Sequence, residues 1–295
     1  MSKDIWGGSW TEQKLDAFAK YVNAYLTIMN KYRDKLGWEL IYFDAFAGSG
    51  KRGTQIKEIN EKPLFDITPE EESLYRGAAE RVVTIKQRGF DCYYFIEDDE
   101  TSLKELEALL SPIRTEKNLD LRFCSGDANR YLREFAKTMK SSKSLCSLVL
   151  LDPFGMQLKW DSIKQLEGTR TDLWILIPSG ITNRLLDTDG KLKSINKLVA
   201  SFGLSEKNIR EHFYKQDISQ HTLFDIGNEI QKKSAPFQRI SELYIQQLNT
   251  IFKEVSPKPL VMRNSRNVPL FHFAFASNNK TALKIADDII GKKPK

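Results

Sequence analysis

The chain has little cysteine, little histidine and no long apolar run. Cys92, Cys124 and Cys146 are the three cysteines in 295 residues, an odd number with no Cys-x-x-Cys spacing. That rules out a disulfide framework or a cysteine zinc knuckle and predicts reduced core thiols in a cytoplasmic protein. His212, His221 and His272 have no metal-ligand spacing to one another or to the cysteines, so no metal site is expected. No apolar stretch approaches the roughly 20 residues that a membrane span requires. The first twenty residues carry Lys3, Asp4, Glu12, Lys14 and Asp16 with no apolar core behind them, which is not the pattern of a secretory signal. Internal repeats and low-complexity tracts are also missing.

What is present is an ordinary globular composition, 41% hydrophobic and 28% charged. The length allows one large domain with insertions. The net charge of +6 and pI of about 9.0 are compatible with a polyanionic partner without requiring one.

Residues 11–34 read as an amphipathic helix, with Leu15, Phe18, Ala19, Val22, Leu26 and Met29 at helical spacing. Thr11 can cap its start and Gly37 lies past its end. Lys14 or Tyr21 is expected near a ligand mouth. The chain then alternates. Strand patterns fall at Leu40–Ala45, Cys92–Ile96, Leu121–Cys124, Leu145–Leu151 and Leu173–Ile177, and helix patterns at 71–88, 99–111, 127–140 and 159–167. This order predicts an α/β fold with a doubly wound, mostly parallel sheet. Residues 51–69, polar and irregular, read as a long loop above the strand ends. Residues 181–255, mostly helical and basic, read as an insertion lobe within a single domain spanning 1–295. Strands at Leu260–Arg263 and Leu270–Ala276, the latter reversed, and a helix at 279–290 close the chain.

The chemistry is carried by acids that end or follow successive strands. Asp44 ends the first and leads into Ala45-Phe46-Ala47-Gly48-Ser49-Gly50, a small-residue loop whose glycines permit positive φ and close approach of a ligand. Glu97 ends the second strand, Asp127 follows the third, and Asp152 ends the fourth in Leu151-Asp152-Pro153-Phe154-Gly155. A parallel sheet brings all four to one edge, where open α/β sheets bind ligands. Four carboxylates there repel one another unless a polar or cationic ligand lies among them. A sulfonium nucleoside offers the positive centre, the amines and the ribose diol. Plainer roles remain open: Asp127 can cap the following helix, and Asp152-Pro153 can be a turn. Gly48-Ser49-Gly50-Lys51 is not a phosphate loop, because Ala45 stands at the first required glycine and Arg52 at the hydroxyl position.

The Asp44–Gly50 segment resembles the first motif of class I S-adenosylmethionine-dependent methyltransferases, in the Phe-x-Gly-x-Gly form of enzymes that methylate nucleic-acid amines. The resemblance implies a Rossmann-like fold and S-adenosylmethionine as cofactor. Gly48 and Gly50 would lie at the methionine part, Glu97 at the ribose and Asp127 at the adenine, with Asp44 and Phe46 also among the cofactor-binding residues. Asp152-Pro153-Phe154 resembles the Asp-Pro-Pro-Phe/Tyr motif, in which the acid and a proline carbonyl hold an exocyclic amine and the aromatic stacks on a flipped base. Here one proline is missing and Gly155 follows the aromatic.

Over nearly the whole chain the sequence is also similar to the three-Cys-motif partner proteins. The similarity lies in Trp10 and Lys14, Tyr42–Gly50, Leu151–Gly155, Leu173–Asn183 with Ile177-Pro178-Ser179-Gly180, and Phe271–Asp288. It implies a bacterial, methyltransferase-like protein with a partner carrying a three-cysteine motif. The expected activity is methyl transfer to an amine of a nucleic-acid base. The alternatives are a non-catalytic binding partner, or aminocarboxypropyl transfer from the same cofactor. Candidate nucleic-acid contacts are Lys51, Arg52, Lys193 and Lys197, with Lys57, Lys191, Lys232, Lys233, Arg263 and Arg266 behind them. Trp160 can stack on a base or anchor its helix in the core.

Overall fold

In the computed structural model, residues 8–49, 77–216, 230–264 and 266–291 are described. Helix α1, Gly8–Leu36, precedes β1, Glu39–Asp44. Its stripe of Leu15, Phe18, Val22 and Leu26 is buried, and Arg33 and Lys35 in the last turn oppose the negative end of the helix dipole. Four further parallel strands follow: β2 Cys92–Glu97, β3 Leu121–Ser125, β4 Leu145–Leu151 and β5 Thr171–Ile177. All seven residues of β4 are buried, as expected for a central strand covered on both faces.

The connecting helices are α2 Ala78–Val83, α3 Glu100–Lys117, α4 Ala128–Ser141 and α5 Trp160–Lys164. The sequence ends α3 at residue 111, before Pro112, but the helix continues to Lys117. Proline removes one helix hydrogen bond and crowds the preceding turn, but it does not end the helix here. The last turn is held by Lys117, whose ammonium donates to the Val83 and Ile85 carbonyls at 3.1 and 3.0 Å.

Beyond β5 come α6 Ser179–Leu185, α7 Ile195–Phe202 and α8 Glu206–Phe213. A two-stranded antiparallel ribbon, β6 Tyr214–Gln216 and β7 Ile230–Lys232, precedes α9 Pro236–Leu248. Strands β8 Glu254–Val255, β9 Leu260–Arg263 and β10 Pro269–Ser277 and helix α10 Lys280–Gly291 complete the chain. The sheet order is β3-β2-β1-β4-β5-β10-β8, with β9 also on β10, and β10 runs antiparallel to β5. This is an α/β doubly wound, mostly parallel sheet with one reversed strand.

One face of the sheet packs against α1, α2, α3 and α10, through residues such as Phe18, Val82, Leu106 and Ala286. The other packs against α4, α5 and the helices of the 181–255 segment. Leu198, Phe202, Ile209, Ile240 and Leu248 share one core with Leu173, Ile175 and Ala274 of the sheet, so this segment is the cover of that face. Trp160 is 4% exposed and serves as a core anchor: Gly203, with φ +65° at the end of α7, lies so close that an added Cβ would overlap the indole.

Candidate functional site

The register of the strands fixes where the acids stand. Asp44 on β1 pairs with Phe95 of β2 and Leu150 of β4, so Glu97 and Asp152 each lie two residues beyond it on the flanking strands. Glu97 pairs with Ser125 of β3, and Asp127 lies two residues further. The four acids therefore form a row across four neighbouring strand ends, about 15 Å long at roughly 4.8 Å per strand. That is the length of an extended nucleoside-sized ligand rather than of one ion.

Asp44 is 2% exposed. It accepts hydrogen bonds from the Tyr42 hydroxyl and the Phe46 amide, both at 3.2 Å. Burial raises its pKa from the ordinary 3.8 to about 7, with the nearby Asp152 acting in the same sense. Phe46 itself is half-buried on the loop. Gly48 has φ +63°, a conformation that favours glycine. Its amide donates to Glu97 Oε2 at 2.8 Å, fastening the loop to β2. The other Glu97 oxygen accepts from the Asp99 amide at 3.1 Å.

A carboxylate offers about four acceptor positions, so half-buried Glu97 retains capacity for a diol. Asp127 caps α4, accepting from the Asn129 amide at 2.7 Å. It is exposed, and Asn129 in turn holds the Gln157 carbonyl and the Lys159 amide. Gly50, Lys51 and Arg52 lie outside the described residues, as does Lys57.

Asp152 is 5% exposed. Its Oδ2 pairs with Lys14 Nζ of α1 at 2.5 Å, while its Oδ1 is buried with no hydrogen-bond partner. Burial pushes the Asp152 carboxyl up and the Lys14 ammonium down, and their mutual attraction offsets part of both shifts. Pro153 is buried behind Asp152, and Phe154 is 37% exposed at the rim. Helix α6 abuts this turn, since Thr182 Oγ1 donates to Met156 Sδ at 3.2 Å.

Lys14 was only loosely legible in sequence as a residue near the ligand mouth. The stronger signal is that it falls four residues before Phe18 and seven before Tyr21, placing a cation within the buried stripe of α1. Tyr21 lies away from this turn and donates to Asp172 at the start of β5. Sequence reasoning also missed the buried contact of Ser179 Oγ with His272 Nδ1 at 2.5 Å, which ties the start of α6 to β10. Among the described residues no group of His, Cys, Asp or Glu is arranged to hold a metal ion, and no helix is long and apolar enough to cross a membrane. All three cysteines are free thiols.

Several candidate cations are occupied. The Lys232 ammonium donates to Asn183 O and Oδ1, both at 2.8 Å, and to Leu186 O at 2.6 Å, which uses its three donors to close the end of α6. Lys233 bonds the Glu211 carbonyl, Lys191 pairs with Asp189, and Arg263 bonds the Asn267 carbonyl. Lys193 and Lys197 are exposed and have no ion pair among the described residues.

No family model and no curated protein matches the chain. Among solved structures it is similar to protein LPL1258 of Legionella pneumophila, a DUF519 protein, at 13% identity and TM-score 0.47, over 94% of this chain and 90% of that one. It is also similar to a proposed methyltransferase, yhhF, of Escherichia coli, at 18% identity and TM-score 0.27, over 51% and 65%. A proposed rRNA methylase of Clostridium thermocellum gives 9% identity and TM-score 0.27, over 70% and 97%. The strand order with its reversed β10 gives this chain a doubly wound, Rossmann-like α/β fold.

Proposed function

We propose that the chain transfers a methyl group from S-adenosylmethionine to an amine, on a nucleic-acid base. The observation that carries this reading is the buried Asp152 carboxylate, held at one oxygen by Lys14 and left without a partner at the other. A buried acceptor without a donor costs roughly 1–3 kcal/mol, which an incoming N–H relieves. The Gly48 turn and the spare acceptor capacity of Glu97 fit the sulfonium nucleoside, with Glu97 at the ribose, Asp127 toward the adenine and the Asp44 end of β1 at the methionine part. S-adenosylmethionine supplies a methyl carbon already activated by its sulfonium. The protein's part is alignment: Asp152 Oδ1 and the Pro153 carbonyl accept from the amine, and Phe154 at the rim stacks on the acceptor ring. Lys14 fixes the carboxylate by holding Oδ2. Lys193 and Lys197, with Lys51 and Arg52, contribute phosphate contacts.

Tritiated methyl transfer to unmodified DNA and RNA, with S-adenosylhomocysteine titrated in parallel, tests this. Asp152→Asn is expected to lower transfer by roughly 10²–10³-fold, the scale of one lost preorganised contact, with nucleoside binding retained. Full turnover by the variant would remove Asp152 from the chemistry.

A second reading rests on the same pair. Lys14 already neutralises Asp152, and Gly155 follows the lone Pro153-Phe154. Both suit a methyltransferase-like binding partner of another protein, in line with the three-Cys-motif resemblance. Nucleoside binding with no transfer to any nucleic acid, plus co-purification of a partner, supports that reading. Product mass separates methyl from aminocarboxypropyl transfer.

A further inference from the structure

A cavity of about 510 Å³ opens at the other end of the sheet, where β4 and β5 begin and β10 ends. Its size falls within the usual range for small-molecule sites. Four features of its lining bear on a ligand. Tyr25 of α1 is 7% exposed, and its hydroxyl is buried with no hydrogen-bond partner. Arg170 and Lys280 are exposed at the mouth and have no carboxylate partner among the described residues. The Arg170 guanidinium lies over the Trp38 ring at 5.4 Å, which gives the mouth a flat wall. The floor is hydroxyl-rich: Ser147 Oγ and Thr171 Oγ1 are 2.8 Å apart, and Asp172 accepts from Tyr21 and Ser277 at 2.7 and 2.5 Å.

We propose that this cavity is a second ligand site that takes a small organic phosphate with a hydroxylated body, of monosaccharide phosphate size. The two cations at the mouth, neither with a carboxylate partner among the described residues, suit the phosphate, which the half-buried Asp172 carboxylate would repel further in. The hydroxylated body suits the floor, where Tyr25 is the group still lacking a partner and Asp172 keeps spare acceptor positions. The site lies at the opposite end of the strands from Asp152 and does not depend on the methyl-transfer reading.

Ribose 5-phosphate is the probe, titrated calorimetrically into the full chain, with inorganic phosphate as the second arm. Saturable binding is expected, weakened about tenfold, or about 1.4 kcal/mol, by Lys280→Ala and by Tyr25→Phe. Tyr25→Phe removes only an unbonded hydroxyl, so its melting temperature should not fall. S-adenosylhomocysteine should bind all these proteins with equal affinity. The proposal is overturned if ribose 5-phosphate does not bind, binds the variants as tightly as the parent, or competes with S-adenosylhomocysteine. Inorganic phosphate binding as tightly as ribose 5-phosphate would overturn the assignment of a hydroxylated body.

Discussion

Asp152 is a buried carboxylate and Asp172 a half-buried one, at opposite ends of adjacent strands, and both are held by α1. Their donors also differ. Asp172 takes two neutral hydroxyl donors, one on each oxygen, from Tyr21 and Ser277. Asp152 takes one ammonium on one oxygen and nothing on the other. With one donor on each oxygen, Asp172 joins α1, β5 and β10 into one unit. Asp152 stands at the carboxyl edge of the sheet with one buried acceptor left without a partner. The two acids thus differ in the count of their donors, while burial raises the carboxyl of both.

The largest effect should come from splitting the ion pair. Lys14→Ala or Asp152→Ala leaves an uncompensated buried charge and is expected to destabilise the protein by about 3–5 kcal/mol in urea denaturation. Replacing both, as Lys14→Met with Asp152→Leu, should restore most of that loss, because a buried pair adds little net stability over apolar packing. If the double variant is as unstable as the single ones, the loss does not come from an uncompensated charge.

Next comes pH. Asp44 has its folded pKa raised to about 7 against an ordinary 3.8. Its contribution to stability is complete below the unfolded value and is lost as pH rises through about 7. Asp172, raised to about 6, acts in the same direction. Asp44→Asn should therefore stabilise the protein at pH 8, by about 4 kcal/mol at most, and flatten the fall in stability between about pH 4 and 7. Melting curves across that range check both parts.

A smaller loss is expected from Ser277→Ala, which takes one donor from Asp172. About 1.5–3 kcal/mol is the scale for a hydrogen bond to a charged group. This variant turns Asp172 into an acid with one open oxygen, as Asp152 is, but without a reactive setting. Its methyl transfer should match the parent. The smallest effect belongs to Lys193→Ala and Lys197→Ala, each within about 0.5 kcal/mol in stability. Each should lower the salt dependence of nucleic-acid binding by about one counterion, seen as a shallower slope against log salt.

Much of this fold is legible in the sequence because its signals are local. The β4 run Leu145–Leu151 is apolar at nearly every position and is buried at every position. The strand-end acids Asp44, Glu97 and Asp152 stand out as charges that terminate such runs. What is not legible depends on contacts distant in sequence. Lys14 and Asp152 are 138 residues apart, and Tyr21 and Asp172 are 151 apart. No spacing rule links such pairs, and the only trace is a polar residue within an otherwise apolar stripe or strand. The extension of α3 past Pro112 has the same origin, since Lys117 is held by carbonyls at and just past the end of α2. The roles of surface lysines are equally hidden: Lys232 and Lys197 look alike in sequence, yet one closes a helix end and the other is exposed.

The most direct measurement is calorimetric titration of S-adenosylhomocysteine into the parent protein, Glu97→Ala and Asp172→Asn. The account predicts one site in the parent, at least about tenfold weaker binding in Glu97→Ala, and unchanged affinity in Asp172→Asn. No binding to the parent, or equal binding to Glu97→Ala, would contradict the assignment of the strand-end acids to a nucleoside.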